Sequence, residues 1–166
     1  ILETNFKDNQ WKMKNKIKKF SKVNYGLQKG KGLTKNLEKY RSKDILNLDI
    51  DFSSSEKGYF RTPHRDRDTR IINFLLYLND VKKKDGGQLE IFDIKNKNKN
   101  FILTRFPEKN MLKKIKNLPP VASTFIFFKS TPNSYHGVSR FKSSKNKRVF
   151  LYGSFSLNNK VIWKKN

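Results

Sequence analysis

The chain holds only two histidines, His64 and His136. Asp66 stands two positions after the first. On a strand, residues i and i+2 point to the same side, so His64 and Asp66 can face one cavity. His136 lies in a second strand-like segment. Two imidazoles and one carboxylate are the ligand set of a facial triad, which leaves open positions on a non-haem Fe(II). Imidazole with carboxylate suits iron better than calcium, which prefers oxygen alone. A His-x-Asp pair alone is a weak signal, because most such pairs are surface residues. Here both histidines sit in segments built like barrel strands, and an arginine, Arg148, follows twelve residues after His136. The turn over 142–147 predicts Arg148 on the neighbouring antiparallel strand, opposite His136.

The elements that must position these residues read as strands. Residues 45–52 alternate at period two, the mark of a half-buried strand. Residues 53–58 read as a turn, and 59–62 resume as a strand. An apolar strand covers 70–78. A turn over 82–87 contains Gly86 and Gly87, whose role is backbone freedom. Alternation returns over 88–94, followed by a charged turn at 95–100. Weaker strand candidates lie at 101–106 and 111–115. Strands follow at 122–128, 134–140 and 148–157, with a short last one at 161–163. Eight to ten short strands at hairpin spacing favour a sandwich or a closed jelly roll. Residues 1–43 differ. Trp11, Met13, Ile17 and Phe20 form one loose helical stripe, and Leu33, Leu37 and Tyr40 another, with Gly26, Gly30 and Gly32 between them. The reading is a single mainly β domain over 1–166. Two short N-terminal helices support, over 1–43, a jelly-roll core over 44–166. The Lys-Gly-Lys-Gly of 29–32 lacks the spacing and preceding strand of a phosphate loop.

Composition bounds the rest. The chain has 166 residues, with 38 Lys+Arg against 14 Asp+Glu and a net charge of +24. No apolar run approaches the ~18 residues of a membrane span. Cysteine is absent, which excludes a disulfide or thiolate-metal scaffold. Fourteen Phe and six Tyr argue against disorder. The charge suggests an anionic partner such as nucleic acid. The lysines, however, run beside asparagines, as over 95–100, and the bias of an AT-rich genome explains that mixture more simply. With no apolar signal segment at the start, the expected location is cytoplasmic.

The motifs resemble a known family. Arg61-Thr-Pro-His-Arg-Asp66, followed by Arg70-Ile-Ile-Asn-Phe-Leu-Leu-Tyr-Leu-Asn79, resembles the 2-oxoglutarate and Fe(II)-dependent oxygenases of the prolyl-4-hydroxylase type. Gly86-Gly-Gln-Leu-Glu-Ile-Phe92, Asn133-Ser-Tyr-His-Gly-Val138 and Arg148-Val-Phe-Leu-Tyr152 are similar to the later strands of that family, in the same order. The resemblance covers roughly 45–157 and implies a double-stranded β-helix core. It implies that His64, Asp66 and His136 hold iron and that Arg148 grips the distal carboxylate of 2-oxoglutarate, a pairing suited to a planar guanidinium. Tyr77 matches a tyrosine that contacts the same carboxylate in some members, though a core tyrosine is an equal reading. Thr62 and Asn73 are further candidates for the barrel interior. Arg70 is expected to brace its strand, and Arg65 and Arg67 to face away from the iron. Tyr59, the nearest match to a tyrosine expected before the His-x-Asp motif, has the wrong parity. Apolar strands with Phe125, Phe127, Phe128, Phe150 and Phe155 are expected to wall the site or form ordinary core.

The implied cofactors are Fe(II), 2-oxoglutarate as cosubstrate and O2, with ascorbate as an accessory reductant. The implied reaction yields succinate, CO2 and a hydroxylated product, the partner being an unidentified substrate such as a prolyl, other peptidyl or amino-acid side chain. Two alternatives stand beside it. One is an oxygenase acting on nucleic acid, such as a dealkylase. The other is a jelly-roll module that binds without catalysis. No membrane partner is expected.

Overall fold

Along β6 (Arg70–Tyr77), buried and half-buried residues alternate without a break. That alternation places one face of the strand in the interior and gives the architecture its plan. The computed structural model describes residues 2–3, 11–15, 17, 19–27, 45–95, 104–157 and 159–165. Among these residues twelve strands follow in order: β1 (Leu2–Glu3), β2 (Trp11–Met13), β3 (Lys19–Leu27), β4 (Ile45–Ser55), β5 (Arg61–His64), β6, β7 (Leu89–Ile94), β8 (Leu112–Leu118), β9 (Phe125–Lys129), β10 (His136–Val138), β11 (Arg148–Ser156) and β12 (Trp163–Lys165).

A six-stranded sheet runs β1-β9-β6-β11-β4-β3, and a four-stranded sheet runs β5-β10-β7-β8. The smaller sheet is antiparallel throughout. In the larger one, β11 is antiparallel to both β4 and β6, while β1 joins β9 and β3 joins β4 in parallel. Between the sheets lies one apolar cluster of Leu75, Tyr77, Leu89, Ile91, Leu118, Ile126, Phe128 and Phe150. A second cluster, built on Ile71, Leu157 and Val161, takes in Met13, Leu46, Ile72 and Trp163. Strands from both sheets meeting over a shared core are the jelly-roll arrangement that the strand spacing implies.

The outer face of the larger sheet carries Phe74, Phe125, Phe127 and Phe155. Phe74 lies 5.6 Å from Phe125 and 6.2 Å from Phe155, ring to ring. Phe125 is in turn 6.1 Å from Phe127. Gly153 sits directly beneath Phe74: a Cβ there would come within 2.1 Å of the ring tip and 2.6 Å of the Asp49 carbonyl oxygen. So of the five expected wall or core residues only Phe128 and Phe150 are buried in the interior.

Two expectations need correction. The first N-terminal stripe is not helical, since Trp11–Met13 and Lys19–Leu27 are strands. Met13 packs on the second cluster, and β2 pairs with β12 at the other end of the chain. Long-range pairing has overridden a loose helical periodicity. The second stripe, over 33–40, lies outside the described residues. Arg148 is also not on the strand beside His136. The chain over 139–147 crosses from the smaller sheet to the larger, where Arg148 stands opposite Ser55 on β4. No helix among the described residues is long and apolar enough to cross a membrane.

Candidate active site

His64, the last residue of β5, is paired directly with His136, the first residue of β10. Their ring centroids are 4.6 Å apart. Each ring is oriented by its own chain. His64 Nδ1 lies 2.8 Å from the Thr62 carbonyl oxygen, and His136 Nδ1 lies 3.0 Å from that of Ser134. A carbonyl oxygen can only accept, so each Nδ1 carries the proton and each Nε2 presents a lone pair. Asp66 follows just past the end of β5, with Oδ2 3.4 Å from His136 Nε2. One ligand atom from each of the three residues lies within 4.8 Å of the others. Two nitrogens and one carboxylate oxygen are the donor set of a metal site open to further ligands.

The carboxylate is held from behind. Arg70 Nη1 donates to Asp66 Oδ1 at 2.8 Å and to Asn73 Oδ1 at 3.3 Å. The register between β6 and β11 shifts at Phe155 and Ser156, opposite Arg70. That irregularity releases Arg70 from the strict alternation of β6, so it reaches the same interior as Asn73. Tyr152 completes the group. Its hydroxyl lies 3.4 Å from Asp66 Oδ1 and accepts a hydrogen bond from Arg70. Tyr152 is a contact of Asp66 that sequence reasoning missed. The available signal was parity: Arg148, Phe150 and Tyr152 alternate along β11 and face one way.

Electrostatics follow from this packing. Burial pushes the Tyr152 hydroxyl above the ordinary tyrosine range, so it stays protonated and donates to Asp66. Burial acts to raise the Asp66 carboxyl too, but His136, Arg70 and His64 outweigh it and hold the group below its usual range. Burial, reinforced by the neighbouring His136, lowers His64 to about 4.

At the other end of the β11 inner face, Arg148 is 1% exposed. Its guanidinium lies 4.0 Å over the Phe150 ring, and Nη2 donates to the Tyr77 hydroxyl at 3.3 Å. Among the described residues Nε and Nη1 have no hydrogen-bond partner. A buried guanidinium with unused donors is costly unless an anion meets it. Gly87, at φ +71°, leaves the space through which this side chain runs, for a Cβ there would fall 2.9 Å from Arg148 Cδ. Phe128 links the two ends: it belongs to the cluster of Tyr77 and Phe150, and its ring meets His136 edge-on at 4.9 Å.

Residues 50–155, well over half of the chain, match the sequence profile of the 2OG-Fe(II) oxygenase superfamily. The chain belongs to that family. Membership implies Fe(II), 2-oxoglutarate and O2, and the residues present suit them: an open two-histidine, one-carboxylate donor set and a buried arginine with unpaired donors. Similar solved structures include a Pseudomonas putida prolyl-4-hydroxylase, 25% identical with a TM-score of 0.46 over 66% of this chain and 52% of that one. A prolyl 4-hydroxylase from Phytophthora capsici is 22% identical, with a TM-score of 0.45 over 75% of this chain and 38% of that one. A viral collagen prolyl hydroxylase from Paramecium Bursaria Chlorella virus-1 is 16% identical, with a TM-score of 0.45 over 69% of this chain and 62% of that one. The chain thus spans about half the length of the solved proteins it matches. No curated relative matches it.

Within this oxygenase fold the remaining candidates are placed as follows. Tyr77 is fully buried beside Arg148, at once a core residue and a hydrogen-bond partner. Asn73 is fully buried on the inner face and touches Arg70. Thr62 contributes its carbonyl to His64 and is otherwise exposed. Arg70 braces the Asp66 carboxylate. Arg65 is paired with Asp68 and Arg67 is exposed. The Tyr59 hydroxyl accepts from Arg61 Nε at 3.4 Å and takes no part in the triad.

Two outcomes are expected. Tyr152→Phe keeps the ring but removes the hydrogen bond to Asp66, and anaerobic calorimetry should show Fe(II) affinity lowered about tenfold, the low end for a partner of a ligating residue. Unchanged affinity would remove Tyr152 from the metal site. In metal-free protein, an NMR titration should place the His64 midpoint near 4. The unfolded chain takes up that proton near 6.5, so the metal-free fold should lose stability as pH falls from about 6.5 toward 4. A midpoint near 6.5 would contradict the burial of the ring.

Proposed function

We propose that the chain is an Fe(II)- and 2-oxoglutarate-dependent dioxygenase that hydroxylates an aliphatic C–H bond, with a prolyl or other peptidyl side chain as the substrate class. The observation that carries the reading is the buried Arg148, whose Nε and Nη1 have no hydrogen-bond partner among the described residues. A metal triad alone fits many reactions. A triad joined by one apolar cluster to a buried, unpaired arginine fits a small dianion that reaches both. The peptidyl substrate class rests on the order of the prolyl-4-hydroxylase-type motifs.

In this reading His64, Asp66 and His136 hold the iron. Arg70 and Tyr152 fix the Asp66 carboxylate from its Oδ1 side. Arg148 and the Tyr77 hydroxyl take the distal carboxylate of 2-oxoglutarate by charge-assisted hydrogen bonds. Leu75, Phe128 and Phe150, members of the apolar cluster between the two ends, make their surroundings dry. Iron and 2-oxoglutarate, when bound, supply the oxidising chemistry, in which O2 and the 2-oxo acid give succinate, CO2 and one hydroxyl on the substrate.

Two variants separate these roles. His136→Ala should lose both Fe(II) binding and succinate release. Arg148→Gln should keep Fe(II) binding but raise the 2-oxoglutarate concentration for half-maximal succinate release roughly ten- to a hundredfold, since a hydrogen bond to a charged group contributes about 1.5–3 kcal/mol. Succinate release by His136→Ala at the wild-type rate would sink the assignment of the metal. An unchanged 2-oxoglutarate requirement in Arg148→Gln would remove the arginine from the site.

A further inference from the structure

The chain has thirty lysines but only eight arginines, and seven of the eight fall between residues 61 and 148, within the segments that build the site. Codon bias toward lysine does not account for that placement. Arg70 and Arg148 serve the interior. Others stand on the rim, beside two phenylalanines that the core does not use.

Phe60 is 47% exposed and Phe106 is 61% exposed. They flank β5, the edge strand that ends in His64. Phe106 is stacked on the His64 ring at 6.1 Å, and the Arg105 guanidinium lies 5.1 Å from the Phe106 centroid. At the other end of β5, the Arg140 guanidinium lies 4.2 Å over Phe60. Between them stands Arg61, exposed and close enough for its charge to act on His64. Among the described residues none of Arg61, Arg105 and Arg140 has a carboxylate partner: Arg61 donates to the Tyr59 hydroxyl, and Arg105 and Arg140 donate to backbone carbonyls.

We infer that this rim is a docking surface for single-stranded nucleic acid, whose phosphates meet Arg61, Arg105 and Arg140 and whose bases stack on the Phe60 and Phe106 pairs. Unpaired guanidiniums interleaved with exposed rings are what a single strand requires: charge for the backbone and flat surfaces for bases of any sequence. The net charge of +24 draws a polyanion to the whole molecule, and the arginines and rings decide where it rests. An acidic peptide would use the same arginines. It would leave both rings idle, and Pro63 on β5 removes a backbone donor that strand addition to this edge needs. The inference goes beyond the reaction proposed above and does not rest on it, because binding at the rim needs neither iron nor 2-oxoglutarate.

The test uses metal-free full chain and a fluorescent single-stranded oligonucleotide, followed by anisotropy across a salt series. The wild-type chain should bind with an affinity that falls steeply with salt. Arg61→Ala with Arg140→Ala should weaken binding at least tenfold and flatten the salt slope. Phe60→Ala and Phe106→Ala should each weaken it about five- to a hundredfold with the slope unchanged, the range for loss of one stacked base. Lys113→Ala with Lys116→Ala removes the same charge from β8, at the opposite edge of the smaller sheet, and should weaken binding less than threefold. Three results overturn the inference. The first is a lysine pair that matters as much as the arginine pair, meaning diffuse attraction only. The second is phenylalanine variants that bind like wild type. The third is a poly-glutamate peptide of equal length that binds as tightly as the oligonucleotide.

Discussion

A carboxylate buried beside two imidazoles has to be held by something, or it will not stay charged and in place. Here the holding group is Arg70, with its nitrogen 2.8 Å from Asp66 Oδ1 and the Tyr152 hydroxyl closing the arrangement. Much of the structure is arranged around that knot. The shift of register between β6 and β11 frees Arg70 to turn inward. β11 must then present Tyr152 to the same interior, and the two-residue period of a strand brings Phe150 and Arg148 inward with it. One strand therefore sets both the Tyr152 hydroxyl beside Asp66 and the buried Arg148. The outer face imposes its own condition at Gly153, where Phe74 and the Asp49 carbonyl leave no room for a side chain.

How much of this was legible in the sequence depended on the range of the signal. His64, Asp66 and His136 were readable because the chain has no other histidines and because a His-x-Asp spacing has a direct meaning on a strand. Arg148 and Tyr77 followed from the order of motifs, although Arg148 sits on the facing sheet and not beside His136. A turn over 142–147 reads the same whether the chain returns to the same sheet or crosses to the other. Tyr152 was missed because parity along β11 gives only its direction: its contact is with Asp66, 86 residues away. The same limit explains the N-terminus, where Trp11 and Met13 suit a helix locally but lie in a strand paired with the chain's last segment.

The basic charge also separates into parts. Lysines spread over the exposed turns and β8 keep the chain highly charged without marking any site. Arginines are fewer and sit where geometry matters, as the physical difference between the two side chains leads one to expect: a guanidinium is a planar fork with five donors that can also lie flat on a ring, and a lysine ammonium is a point charge. Arg70 grips Asp66, Arg148 lies on Phe150, and Arg140 lies on Phe60.

The proposed chemistry requires His64, Asp66 and His136 to share one ion. X-ray absorption of the anaerobic protein loaded with one equivalent of Fe(II) tests that directly. It should show two imidazole nitrogens and at least one carboxylate oxygen at about 2.0–2.2 Å, by analogy with zinc sites. Addition of 2-oxoglutarate should then replace weakly held oxygen ligands while both imidazoles stay. An iron with fewer than two imidazoles, or one whose surroundings ignore 2-oxoglutarate, would contradict it.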